Sequence, residues 1–130
     1  MAGLTYISSE QDALDAYSNA VISVAERLAP SVANLRVSRG RRMGGGSAVV
    51  ITPDGFLVTS AHVVAGTAGV GRASFSDGRD VEVTVIGADP LSDLALLRLG
   101  GDAFTAAELG DAEQLRVGQL VVAIGNPNGF

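Results

Sequence analysis

The residues that could do chemistry are few. His62, the only histidine in 130 residues, stands in the stretch Val58-Thr59-Ser60-Ala61-His62-Val63-Val64. An apolar, strand-like run, Gly55-Phe56-Leu57-Val58, leads into it, and two small residues directly precede the imidazole. Further along, Asp93 stands at the mouth of a second apolar run, Leu94-Ala95-Leu96-Leu97-Arg98-Leu99. A histidine at one strand end and a carboxylate at the start of another are what a general base and its orienting partner need. Taken singly, the histidine reads as a packed structural residue and the aspartate as a turn residue. Taken together at strand edges, they suggest a shared cleft. A nucleophilic serine in a glycine-rich turn is absent: no serine stands in a Gly-x-Ser-x-Gly frame, and Ser47 follows Gly46 but precedes Ala48 and Val49. The chain reads as half of an active site.

The composition supports a folded domain able to position such a pair. Hydrophobic residues make up 47% and aromatics 5%, with no Trp, so Val, Leu, Ile and Ala must build the core. The net charge of −5 argues against nucleic-acid binding, which needs a basic footprint. Every one of the 9 basic residues is Arg. Without Lys there is no Walker A phosphate loop and no Schiff-base chemistry. With one His and no Cys, neither a disulfide nor a zinc site is expected. No run is long and apolar enough to span a membrane. Met1 to Ser9 lacks the basic start and apolar centre of a signal peptide.

In chain order, Ser9-Glu10-Gln11-Asp12 reads as a helix start, with Ser9 as cap. Leu14, Tyr17, Val21, Val24 and Leu28 then form one apolar stripe, expected to pack on the chain's own domain, and Pro30 ends the helix. Residues 31–37 alternate as a first strand. Residues 38–46, with Arg39, Arg41, Arg42 and three consecutive glycines, read as a mobile, solvated loop. A second strand over 46–51 turns at Thr52-Pro53-Asp54-Gly55 into a third over 56–59. A loop after His62 leads to a fourth strand over 70–75, the Asp77-Gly78 turn, and a fifth carrying Val81, Val83 and Val85. Residues 94–99 read as a sixth strand buried on both faces. A long surface connection over 100–118, with a helical turn near Glu113 to Leu115, precedes a seventh strand over 119–124, ended by Gly125-Asn126-Pro127-Asn128-Gly129. Short strands joined by tight turns indicate an antiparallel barrel or sandwich.

Several stretches resemble the HtrA/Deg family of trypsin-like serine proteases. Gly44-Gly45-Gly46-Ser47-Ala48-Val49-Val50-Ile51 and Pro53-Asp54-Gly55-Phe56-Leu57-Val58-Thr59-Ser60-Ala61-His62-Val63-Val64-Ala65-Gly66 look like that family's histidine region. Asp89-Pro90-Leu91-Ser92-Asp93-Leu94-Ala95-Leu96-Leu97 looks like its aspartate region. Residues 115–127 look like the entry to its second barrel. The resemblance implies an all-β fold: a six-stranded antiparallel Greek-key barrel of the trypsin-like type, preceded by one N-terminal α-helix and followed by one strand of a second barrel. It implies a helical segment over 1–30, a barrel over 31–100 carrying His62 and Asp93, and an interlobe connection over 101–130. It makes His62 the general base and Asp93 its orienting carboxylate, and leaves Asp89 as a turn residue. No metal or organic cofactor is implied. The family's nucleophile lies in a Gly-Asn-Ser-Gly-Gly-Pro stretch that these 130 residues do not contain, so the chain alone is expected to be inactive. The resemblance further implies unfolded or peptide substrates, no nucleic-acid partner, and an extracytoplasmic or cell-envelope setting. A face left bare by the second barrel would make the chain a homo-oligomer. The rival expectation is a non-catalytic barrel that binds a protein partner.

Overall fold

The computed structural model describes residues 2–126, with side chains from Ser9 onward. Six strands follow a long helix: α1 (Ala2–Leu28), β1 (Val32–Arg39), β2 (Arg42–Val50), β3 (Phe56–Thr59), the one-turn helix α2 (Ala61–Val64), β4 (Val70–Ser74), β5 (Asp80–Asp89) and β6 (Leu94–Leu99). All pairings are antiparallel. The strands close into a barrel in the order β1-β2-β3-β6-β5-β4. β4 lies beside β1 rather than β3, which is Greek-key order. The barrel leaves no open edge.

Alternation fills the interior. Leu35, Val37, Val50, Leu57, Val83, Leu97 and Leu99 point inward and are fully buried. Phe75 and Phe104 stack at one end, 5.9 Å between ring centroids. β6 has only one buried face, contrary to expectation. Ala95, Leu97 and Leu99 face the core, while Leu94 and Arg98 are exposed, because a barrel wall presents its other face to solvent.

The glycine run is not a mobile loop. β1 and β2 pair from Val32↔Val49 to Arg39↔Arg42 around a two-residue turn, Gly40-Arg41. Gly40 takes φ +61, and a positive φ at the first central residue suits a tight hairpin. Gly44, Gly45 and Gly46 lie within β2. A Cβ on Gly45 would sit 2.4 Å from the Leu35 carbonyl, and one on Gly46 would sit 3.0 Å from the Val63 side chain. Glycine is needed here for close approach, not for mobility.

The helix also departs from expectation. It starts at Ala2, not at Ser9, since no proline interrupts the residues before Ser9. Pro30, within a 3₁₀ turn over Ala29–Ser31, ends it. The stripe does not pack on the barrel: Leu14 and Tyr17 are each 56% exposed. The closed barrel fills its own interior, and among the described side chains of α1 the partly covered ones lie toward its C-terminal end. There Val24 and Leu28 border a groove of ≈ 400 Å³ with Ala106 and Ala107, and Arg27 meets Glu108 at 3.5 Å. No strand forms over 119–124, because that segment pairs with none of the six strands. The helical turn in the surface connection is a 3₁₀ turn over Ala112–Gln114. Pro127, Asn128 and Gly129 lie outside the described residues.

Candidate active site

The register of two strands brings His62 and Asp93 together. β3 pairs with β6 so that Thr59 lies opposite Ala95. His62 follows the end of β3 by one turn of backbone, and Asp93 immediately precedes β6. The histidine stands on α2, not on a strand end as expected.

α2 is a single α-turn, closed by one bond from the Ala65 N–H to the Ala61 carbonyl at 3.1 Å. So short a helix is unstable by itself. Ser60 occupies the N-cap position but its side chain makes no capping bond. Asp93 does that work from across the barrel rim. Its Oδ1 accepts the His62 backbone N–H at 2.9 Å, and its carbonyl accepts the Ala61 N–H at 3.0 Å. Oδ2 lies 2.8 Å from His62 Nδ1. One carboxylate therefore holds both the backbone and the ring of the histidine. An ionised carboxylate only accepts hydrogen bonds, so this contact favours the proton on Nδ1, and in the neutral ring that leaves the lone pair on Nε2. Nε2 has no hydrogen-bond partner among the described residues.

Asp93 adopts φ +56, a region that aspartate tolerates better than most residues and that marks many functional sites. The preceding turn holds it there. Asp89 accepts the Leu91 N–H at 3.1 Å and the Ser92 hydroxyl at 2.9 Å, so Asp89 is the turn residue expected of it. The His62 backbone N–H lowers the Asp93 pKa most, with the imidazole next and the Ala61 N–H adding to it, while partial burial opposes them.

The opposite end of α2 is held by a residue that sequence reasoning assigned to a solvated loop. Arg39, the last residue of β1, donates Nε–H to the Ala65 carbonyl at 2.8 Å and Nη2–H to the His62 and Val63 carbonyls at 2.7 Å each. No local pattern signals this, because the contact depends on β1 ending beside α2. Beside the His62–Asp93 pair lies a mostly apolar pocket of ≈ 420 Å³, walled by Val64, Ala65, Val85, Ala88 and Pro90.

A small barrel with a carboxylate-bound histidine at its rim is the form of one lobe of a trypsin-like peptidase. Residues 46–130 match the family described as the trypsin-like peptidase domain, and the chain belongs to that family, in its HtrA/DegP group. It is 40% identical to the serine protease PepD of Mycobacterium tuberculosis, over 85% of this chain and 26% of that protein. It is 43% identical to a probable periplasmic serine endoprotease, DegP-like, of Halomonas elongata, over 65% of this chain and 18% of that protein. The barrel superposes on the HtrA-type protease AlgW, solved with a tripeptide, with a TM-score of 0.66 at 35% identity, covering 71% of this chain and 30% of that one. The chain thus spans about a quarter or less of the curated relatives' length.

Proposed function

We propose that this chain supplies the base and its orienting carboxylate for a Ser-His-Asp peptidase. His62 Nε2 would take the serine hydroxyl proton as the serine oxygen bonds to the scissile carbonyl carbon, then deliver it to the leaving amine. Asp93 would hold the Nδ1–H tautomer and stabilise the imidazolium. The 2.8 Å contact between Nδ1 and Oδ2, in a family of serine peptidases, carries this reading. Residues 1–30 would form a helical arm, 31–100 the barrel with the pair, and 101–130 the connection to a second lobe bearing the serine and the oxyanion amides. The substrates would be unfolded polypeptides. The setting would be the cell envelope, as the names of the DegP-like relatives suggest.

The 130 residues alone would not hydrolyse peptides, since none of their serines stands in a nucleophile frame. The test compares casein cleavage by this chain with that by a longer product that joins it to a Gly-x-Ser-Gly-Gly stretch. The first is expected to be silent and unlabelled by fluorophosphonates, the second active. His62→Ala in the longer product should cost on the order of 10⁶ in kcat. Stoichiometric labelling of a serine within these 130 residues would overturn the reading.

The segment over 119–124 supports a second proposal. Leu120 and Val121 are 56% and 77% exposed, and no strand partner covers their backbone. The chain alone is proposed to be a homo-oligomer through this face. Light scattering at micromolar concentration should report at least a dimer, with Val122→Lys shifting it toward monomer. A soluble monomer from the unmodified chain would refute it.

A further inference from the structure

We propose that Arg39 is a positioning residue for His62, an inference that rests on the peptidase reading above. α2 is a single turn, and its last carbonyls have no intrahelical donors. Arg39 supplies donors to three of them, on His62, Val63 and Ala65, all at 2.7–2.8 Å. The planar fork of the guanidinium fixes direction in a way a point charge does not. Burial of Ala61, Val63 and Val64 sets the depth of the turn. Apolar packing is non-directional, however, and leaves rotation about that seat open. Asp93 holds the N-terminal pole of the turn and Arg39 holds the C-terminal pole, so together they leave the imidazole one orientation.

The glycines of β2 make room for this device. A Cβ on Gly44 would lie 3.2 Å from Arg39 Nη1, and one on Gly46 would lie 3.0 Å from Val63. The guanidinium passes over the first glycine and α2 rests on the second. Arg39 reaches α2 only because the hairpin turn is two residues long and β1 runs on to its edge. The role assigned is that of orienting the base through its backbone, without contact to a reacting atom.

The experiment is NMR on the intact 130-residue chain, wild type against Arg39→Met and Arg39→Lys. Two signals are read: the tautomer of the His62 ring from its ¹⁵N shifts, and amide exchange at Ala61 and His62 against Val83 and Leu97 in the barrel wall. Wild type should hold the Nδ1–H tautomer. In R39M the Nε2–H tautomer should appear, and the Ala61 and His62 amides should exchange at least about tenfold faster, the loss expected when charged donors are removed. Val83 and Leu97 should not change, which separates positioning from general destabilisation. R39K, with its charge but no fork, should fall between the two, and it decides the matter if R39M does not fold. Variants indistinguishable from wild type in both signals would overturn the proposal and leave the peptidase reading intact. Wild type found in the Nε2–H tautomer would overturn the peptidase reading itself, whatever Arg39 does.

Discussion

Asp93 carries three duties on one short side chain and its backbone. It caps α2 through Oδ1, orients the imidazole through Oδ2, and accepts the Ala61 N–H on its carbonyl. Its φ of +56 lets all three point the same way. Asn tolerates that backbone and keeps the shape, but its amide can offer hydrogens to Nδ1 and so favour the wrong tautomer. In a product that includes the serine, Asp93→Asn should therefore lower kcat by roughly 10⁴ while the fold survives. Steady-state kinetics beside a thermal melt would check both halves. The pairing of His62 with Asp93 was legible in the sequence, because one follows an apolar run and the other opens one, each with polar or small neighbours. Arg39 was not, since its three acceptors lie more than twenty residues away and only the strand order brings them close.

At the scale of elements, strands were easier to read than the segments between them. β3 lies where alternation and its turn place it. The glycine run was misread because low side-chain content signals a loop locally. Here it serves close backbone packing, which depends on Leu35 and Val63 from elsewhere. The stripe on α1 was read correctly as helical but not as exposed, since periodicity reports an apolar face and not what covers it. The two halves of the molecule should answer truncation differently. Leu57→Ala, at a fully buried wall position, should cost roughly 2–5 kcal/mol. Leu14→Ala, at an exposed one, should change stability by no more than about 0.5 kcal/mol. Denaturant titrations of both variants would measure the contrast, and a large loss at Leu14 would mean that another surface covers α1.

Across the whole molecule, the charges predict an acid limit. Asp80, Asp89 and Asp93 all have pKa values below the ordinary 3.8. The Arg72 side chain acts most on Asp80, with Arg36 aiding it; the Ser92 hydroxyl acts most on Asp89; the His62 N–H acts most on Asp93. A carboxyl whose pKa is lower in the folded chain binds fewer protons there than in the unfolded one. Its contribution is complete above about 3.8 and drains away as the pH falls through the folded values. Melting temperature should therefore be nearly flat in this respect from about pH 6 to 5 and fall below about pH 4. A barrel whose melting point is as high at pH 3 as at pH 6 would contradict this.

The barrel is also sewn unevenly. β1 pairs with β2 along its whole length, but β2 and β3 share two ladder pairs, Val49↔Val58 and Val50↔Leu57, and one flanking backbone bond from the Ile51 N–H to the Phe56 carbonyl at 2.9 Å. Beyond those pairs the join is continued by a side chain, the Thr59 hydroxyl donating to the Ser47 carbonyl at 2.8 Å. If this wall parted, the cylinder would unroll into a flat sheet running β2-β1-β4-β5-β6-β3, with two raw margins where there had been none. The histidine rides on the chain that leaves β3, so the same rupture would carry it away from β2. Thr59→Val keeps the volume and removes the stitch, leaving the Ser47 carbonyl without that donor. Such a loss costs about 1–3 kcal/mol when the group is buried. Native-state proteolysis should find the variant cut first near the Thr52–Gly55 turn, at a rate roughly ten- to a hundredfold above wild type if cleavage follows the open population. Equal cleavage rates would show that the backbone bonds between these two strands suffice to keep the cylinder shut.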